Sequence, residues 1–404
     1  MKGNVLIAQS GGPTAVINAS CAGIIQEAFK HKKEIDGVYG AVNGILGVLK
    51  EELLDLNQED PATIELLKRT PSSALGSCRY KLSDKEYDRV LSVLKAHHIR
   101  YAFFIGGNDT MDTANKVNQL AGEAGHELRV IGVPKTVDND LVATDHCPGY
   151  PSVARWLAIA VRDAGLDTKA IYCADPVKIV ETMGRDSGWI TAATALARET
   201  PDDPPHLIYL PERPFVREKF IADVKRVYEK VGYVLMAVCE GLRDAEGKLL
   251  SESKAKVDVD GFGHAQLGGV ADLLSNIIKT DLGIKARFDK PGTIQRVAMS
   301  GASEVDIAEA YEAGRLAVDK AVRGESGYMV SLERMPGKKY QCAMRMVALG
   351  KVANARRTVP DEFINKDGND VTPAFVEWLR PLIKPELPKY AHLKRVLVGK
   401  KVEG

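Results

Sequence analysis

Short apolar runs of strand length alternate with helix-spaced segments through most of this chain, and no other feature limits its fold as tightly. Val5–Ala8, Tyr101–Ile105, Val130–Val133, Ala170–Cys173, Lys178–Glu181, His206–Leu210 and Tyr233–Cys239 read as strands. Helical periodicity follows several of them, as over Asn18–Lys30, Asp112–Gly122 and Trp189–Arg198. Near-continuous apolar strands joined by helices predict α/β architecture, with parallel, doubly wound sheets covered on both faces. At 404 residues the chain has room for two domains of ordinary size. No fixed-period repeat or low-complexity segment interrupts it. Pro201–Pro205 is a proline-rich connection, and Ser251–Asp260, rich in Lys and acidic residues, is expected to be an exposed insertion. A turn-rich stretch from Pro360 to Asp370 precedes a short amphipathic helix expected over Pro373–Leu382.

The strand ends carry the chemistry. After Arg129–Val133 the chain runs Pro134-Lys135-Thr136-Val137-Asp138-Asn139-Asp140, placing an ammonium, a hydroxyl and two carboxylates just past the carboxyl end of a buried strand. Ligands of open α/β sheets bind along that edge. A carboxylate there can accept the proton of an attacking alcohol while a neighbouring cation neutralises a phosphoryl group in transfer. The first strand runs into Ser10-Gly11-Gly12-Pro13-Thr14, with Asn18 near the start of the next helix, and Gly106-Gly107-Asn108-Asp109-Thr110 repeats the arrangement. Glycines let backbone amides approach an anion, and a helix N-terminus adds partial positive charge. Three such loops along one sheet edge can converge on one phosphate-bearing ligand. Arg79 adds a further cation, Glu181–Trp189 presents Arg185 on a glycine turn, and Glu240 ends an apolar strand where it could accept sugar hydroxyls. The segment Ile284–Arg296 brings Arg287 and Arg296, enough charge for a second phosphate. His97, His98, His146 and His264 lack ligand-like spacing and are expected to be ordinary surface or loop residues.

The global charge adds little. With 55 basic against 54 acidic residues the net charge is +1, so no field draws in nucleic acid or an anionic membrane, and phosphate recognition must be local. Six scattered cysteines without a CxxC pair read as reduced thiols rather than a disulfide framework or zinc site. No apolar run approaches membrane-spanning length, and the polar Gly-Gly loop comes too early for a signal peptide, so the expected compartment is cytoplasmic.

Taken in order, SGGPTAVIN, LGSCR, GGND, PKTVDND, ETMGR, the Glu240 strand and TIQR resemble the phosphofructokinase family over about residues 3–330. ATP-dependent members carry GGDG and PGTIDND at two of these loops. Here Asp109 replaces the second motif glycine and Lys135 the glycine before the threonine, so the chain resembles the pyrophosphate-dependent branch. A carboxylate at Asp109 would sit where the relatives hold the α-phosphate of ATP. Two like charges at ~4 Å cost roughly 1 kcal/mol in water and ~4 kcal/mol at an effective dielectric near 20.

The resemblance implies two doubly wound, Rossmann-like domains with the active site in the cleft between them. The domains would be 1–145 plus 294–350 for the phosphoryl donor, and 146–293 plus 351–404 for the sugar phosphate. It makes Asp138 the base for the C1 hydroxyl of fructose 6-phosphate, with Thr136 and Arg185 steadying the phosphoryl group. Gly12, Arg79, Gly107, Asp109 and Lys135 would hold pyrophosphate. Val137, the Met183-Gly184 turn, Glu240, Arg287, Thr293, Gln295 and Arg296 would join them on the sugar-phosphate side, and Asn108 and Asp140 would serve Mg2+. Part of the sugar-phosphate site comes from a neighbouring subunit in related enzymes, which implies a homo-oligomer, a dimer or tetramer. The implied reaction is reversible and suits glycolysis or gluconeogenesis.

Three positions depart from the family pattern. Asn108 replaces an aspartate offered to magnesium, and Thr293 stands where histidine or tyrosine is usual. Asp175-Pro176-Val177-Lys178 replaces the segment with the cross-subunit arginine. The turn Cys21–Gln26 on the first helix carries no cation, so little response to nucleotide or phosphoenolpyruvate effectors is expected. The alternatives are an ATP-dependent 6-phosphofructokinase that tolerates Asp109, a kinase of the NAD or diacylglycerol kinase type, and a non-catalytic sugar-phosphate sensor.

Overall fold

A computed structural model describes residues 1–253, 269–391, 393–394 and 396–401. Two sheets organise it. The strands are β1 (Gly3–Gln9), β2 (Ile35–Ala41), β3 (Leu53–Asp55), β4 (Ile99–Gly106), β5 (Arg129–Pro134), β6 (Val177–Thr182), β7 (Leu207–Tyr209), β8 (Val234–Cys239), β9 (Ala286–Asp289), β10 (Tyr328–Arg334) and β11 (Cys342–Ala348). The larger sheet has the order β11-β10-β5-β4-β1-β2-β3, and the smaller the order β7-β8-β6-β9. Every pairing is parallel except the two at the edges of the larger sheet, β2 with β3 and β10 with β11. The molecule is thus α/β, two Rossmann-like halves with helices on both faces.

Burial on both faces explains the unbroken apolar character of the central strands. On β1, Val5 and Ile7 face the helices Ile17–Ala28 and Glu304–Val322, while Leu6 and Ala8 face the helices Asp84–Ala96 and Asn108–Glu123. The first helix pair packs backbone to backbone. A Cβ on Gly23 would lie 2.1 Å from the Tyr311 carbonyl oxygen, and one on Gly314 would lie 2.1 Å from that of Ser20. In the smaller sheet, Val234, Met236 and Val238 of β8 pack against Phe220, Val224 and Leu274.

After β11 the chain crosses to the other half. There the helix Pro373–Leu379 inserts Phe375 beside Trp189, Tyr150 and Val137. Trp378 lies 5.3 Å from Trp189 between ring centroids.

Several local expectations are corrected. Ala170–Cys173 is no strand: the helix Tyr150–Ala170 runs up to it, buried along Val153, Leu157 and Val161, and the chain then turns. Ile171 and Tyr172 stay 47% and 42% exposed, because no layer covers that short run. Trp189–Arg198 divides into a helix over Trp189–Ala193 and a 3-10 turn over Thr194–Ala197. The expected insertion Ser251–Asp260, from 254 onward, and His264 lie outside the described residues.

Candidate active site

β5, β4 and β1 are adjacent, so their carboxyl ends bring three loops to one edge. The loops are bonded to one another: the Ser10 amide donates to the Ile105 carbonyl (3.0 Å), and that of Lys135 to Gly106 (3.0 Å). The Gly11 amide reaches the Cys78 carbonyl at 3.0 Å, and Ser77 Oγ donates to the Gly11 carbonyl at 2.6 Å. This draws in the segment that carries Arg79. Gly11 has φ +79°, a left-handed conformation for which glycine is the ready residue.

Cations gather at this loop. Lys135 Nζ donates to the Gly12 carbonyl at 2.8 Å. A methyl on Gly12 would lie 3.0 Å from Arg296 Nη1 and 3.7 Å from Arg79 Nη2, so both guanidinium groups close on the same glycine. Lys135 is only 3% exposed. Burial, opposed by Asp138 and reinforced by Arg296 and Arg79, pushes its ammonium down to about 7. A bound anion would restore the charge.

Gly107 precedes the helix Asn108–Glu123 without a side-chain cap, leaving the amides of its first turn to a ligand; Asp109 stands in that turn. Asn108 Nδ2 donates to Asp140 Oδ2 at 3.0 Å, and the buried Asn108 Oδ1 has no hydrogen-bond partner among the described residues. Burial and the neighbouring Asp138 raise the Asp140 carboxyl to about 7. An unpartnered amide oxygen beside a crowded carboxylate suits a hard divalent cation. Among the described residues no group of three or more His, Cys, Asp or Glu could hold a metal, so such an ion would take most of its ligands from phosphate oxygens and water.

Asp138 lines the cleft, and its amide donates to Thr136 Oγ1 at 3.1 Å. Burial raises its carboxyl above the usual range, against the pull of Arg185, Lys135, Arg79 and Arg296. Facing it is the turn after β6. Gly184 takes φ +144°, its amide donates to Glu240 Oε1 at 3.1 Å, and the Met183 amide donates to Gln295 Oε1 at 3.2 Å. A Cβ on Gly241 would lie 2.2 Å from the Arg185 carbonyl oxygen, so that strand end must be glycine. Burial raises Glu240 to about 7. Ser187 Oγ donates to the Asp138 carbonyl at 3.2 Å and joins the two halves.

Most of the expected residues therefore meet in one cleft: Arg79, Asp109, Lys135, Thr136, Asp138, Asp140, Arg185 and Glu240, with Gly12, Gly107, Asn108 and Met183 on its wall. Others stand apart. The Val137 side chain is buried in the aromatic core, and Thr293 is exposed at the start of the short helix Ile294–Val297. Arg287 lies outside this chain's cleft, on edge strand β9, where it pairs with Asp175 at 2.8 Å in a recess that also holds Lys178.

Sequence reasoning placed Thr110, Asp186 and Ser187 on site loops without giving them a role, and it missed Arg356, a cleft residue paired with Asp186. It also missed Arg357, whose guanidinium donates to the carbonyls of Asn139, Thr144 and Asp145 and lies 4.9 Å from the Trp189 ring. Two adjacent arginines in a turn-rich segment were the available signal. His146 lies in a loop, as the expectation allowed, but it is not an ordinary one: it is fully buried, 2.9 Å from Asp145 Oδ2 and 2.7 Å from Glu309 Oε2.

The phosphofructokinase family profile matches residues 4–296. The chain is 45% identical to a pyrophosphate–fructose 6-phosphate 1-phosphotransferase of Xanthomonas campestris pv. campestris, over 99% of this chain and 98% of that one. It is 34% identical to a sulfofructose kinase of Alkalicoccus urumqiensis, over 94% and 95%. The crystal structure of a pyrophosphate-dependent phosphofructokinase from Nitrosospira multiformis superposes with a TM-score of 0.88 at 40% identity, covering 100% of both chains.

Proposed function

The chain belongs to the phosphofructokinase family, and we propose that it transfers a phosphoryl group from pyrophosphate to the C1 hydroxyl of fructose 6-phosphate, giving fructose 1,6-bisphosphate and phosphate. The observation that carries this reading is the buried Lys135 ammonium, 2.8 Å from the Gly12 carbonyl and flanked by Arg79 and Arg296, in the same cleft as Asp138. A cation cluster on a tight glycine loop fits a compact, highly charged donor. Asp109 in the first turn of the following helix opposes the further negative charge of a nucleotide triphosphate.

In the forward direction Asp138 accepts the C1 hydroxyl proton as the C1 oxygen attacks phosphorus. The bond to the bridging oxygen breaks, and the second phosphate leaves with the electron pair. Lys135 and Arg185 neutralise charge on the phosphoryl oxygens in flight, worth about 3 kcal/mol for one well-placed donor. Thr136 holds the Asp138 amide and offers its hydroxyl to the same group. Asn108 and Asp140 would hold Mg2+, which when bound neutralises phosphate oxygens. Because phosphoanhydride and phosphate ester are closer in energy here than with ATP, the step runs both ways.

Glu240, Arg296, Gln295 and the Met183-Gly184 turn form the sugar-phosphate side, while Val137 and Thr293 stand apart from it. Arg287, on the β9 edge, would reach the sugar phosphate of a neighbouring subunit in a homo-oligomer, a dimer or tetramer. Residues 1–145 with 294–350 make the donor domain, and 146–293 with 351–404 the sugar-phosphate domain. The enzyme works in the cytoplasm; among the described residues no helix is long and apolar enough to cross a membrane.

An aldolase-coupled assay tests the reading. Turnover of fructose 6-phosphate with magnesium and pyrophosphate is expected, with ATP in place of pyrophosphate giving none. Turnover with ATP alone overturns the donor assignment. Preference for sulfofructose over fructose 6-phosphate overturns the acceptor assignment, and silence with every pair returns the cleft to a sensor.

A further inference from the structure

Behind the Lys135–Asp140 loop lies a buried polar network that the proposed chemistry does not use. His146 sits at its centre with both ring nitrogens on carboxylates, Nδ1 on Asp145 Oδ2 (2.9 Å) and Nε2 on Glu309 Oε2 (2.7 Å). Each carboxylate is held again from another element. Arg334 of β10 makes two contacts of 3.1 Å to Asp145, and the Trp378 indole donates to Asp145 Oδ1 at 3.1 Å. The Tyr340 hydroxyl donates to Glu309 Oε1 at 2.6 Å. One turn earlier on the helix Glu304–Val322, Asp306 accepts from the amides of Gly149 and Ser152 at 2.9 and 3.0 Å.

What this network holds is the backing of the catalytic loop. The Cys147 amide donates to Asn139 Oδ1 at 2.9 Å, and the Thr136 amide to the Pro148 carbonyl at 3.2 Å. Residues 145–149 thus form the wall on which 136–140 rest. We propose that His146 is a positioning residue for phosphoryl transfer: its ring, bridged between Asp145 and Glu309, fixes the segment 145–149 and through it the placement of Thr136 and Asp138. The inference rests on the proposed function for its catalytic readout.

A ring bonded at both nitrogens to carboxylates must carry both protons, since a carboxylate only accepts. Burial pushes the imidazole down, but Glu309 and Asp145 outweigh it and raise the group to about 9. The other charged or titratable groups facing this cluster are Asp306 and Arg334, Tyr340 and Cys342 after them, and Arg357, which donates to the Asp145 carbonyl. A histidine raised above its unfolded value contributes stability that is full below about 6.5 and is lost as pH rises through about 9.

Three measurements test this. Selective 15N labelling of histidine in the ligand-free wild type should show one imidazole still doubly protonated at pH 8, and that signal should vanish in His146→Gln. No such ring at pH 8 overturns the proposal without reference to any substrate. His146→Gln should lower kcat about 10- to 100-fold, as a misplaced loop does, with KM for both substrates within about threefold. Glu309→Gln should move an alkaline limb of kcat, near pH 9 in the wild type, to lower pH. A kcat for His146→Gln within threefold of wild type, or a limb that Glu309→Gln leaves in place, also overturns it. Wild-type turnover with pyrophosphate is scored separately, so failure of the proposed reaction is not confused with failure of the positioning role.

Discussion

At the scale of single residues, the cleft works against its own folding. Asp138, Asp140, Glu240 and Lys135 are all moved towards their neutral forms by burial, so gathering these charges in the cleft costs part of their solvation. For Asp138 the sign follows from its raised position. Protonation favours the folded chain, so stability falls as pH rises from the ordinary carboxylate range through the raised value. Asp138→Asn should therefore lose about 10²–10⁴-fold in kcat while its melting temperature at pH 7.5 holds or rises. A loss of less than about tenfold would remove Asp138 from the base role. In the wild type, kcat/KM should show an acid limb above the usual carboxylate range, because the free enzyme must lose the Asp138 proton first.

These side chains were legible because each follows a strand end directly, within one loop. His146 was not. Its partner Glu309 is 163 positions away, and its other partner, the adjacent Asp145, reads in the sequence as an ordinary loop carboxylate.

At the scale of elements, β1, β4, β5, β6 and β8 could be read because burial on both faces leaves them apolar without interruption, whereas β10, also buried, was not read. β2 was passed over because Asp36 and two glycines dilute its run, Ile35-Asp36-Gly37-Val38-Tyr39-Gly40-Ala41. β11 was missed because it lies at a sheet edge, only half-buried. Ala170–Cys173 misled for the opposite reason, an apolar run with nothing packed on it. The close packing of Ile17–Ala28 on Glu304–Val322 depends on glycine at the crossing. With a Cβ 2.1 Å from the Ser20 carbonyl, Gly314→Ala must push the helices apart and should cost roughly 1–3 kcal/mol in urea unfolding. An unchanged unfolding midpoint would show that the crossing has slack.

At the scale of the whole molecule, the C-terminal segment ties the two halves together. It leaves the edge of the larger sheet, brings Arg356 to the cleft wall and Arg357 behind the Asn139–Asp145 loop, and anchors through Trp378 and Phe375 beside Trp189. Arg357 donates to the carbonyls of Asn139, Thr144 and Asp145. Leaving such groups unpaired costs about 1–3 kcal/mol each. Arg357→Ala should thus lower both unfolding stability and kcat, the latter at least about tenfold through the displaced loop. An activity near wild type would show that the loop holds itself.

Net charge told nothing of this cleft, since +1 overall coexists with Lys135, Arg79 and Arg185 lining it and Arg296 beside Gly12. On the proposed reading, that local field chooses the donor. The most direct test runs the reaction backwards, with fructose 1,6-bisphosphate, magnesium and either phosphate or ADP, followed by 31P NMR. The pyrophosphate resonance should grow with phosphate as the C1 ester signal falls, and ADP should give no ATP. ATP formed from ADP, with no pyrophosphate formed from phosphate, would contradict the account at its centre.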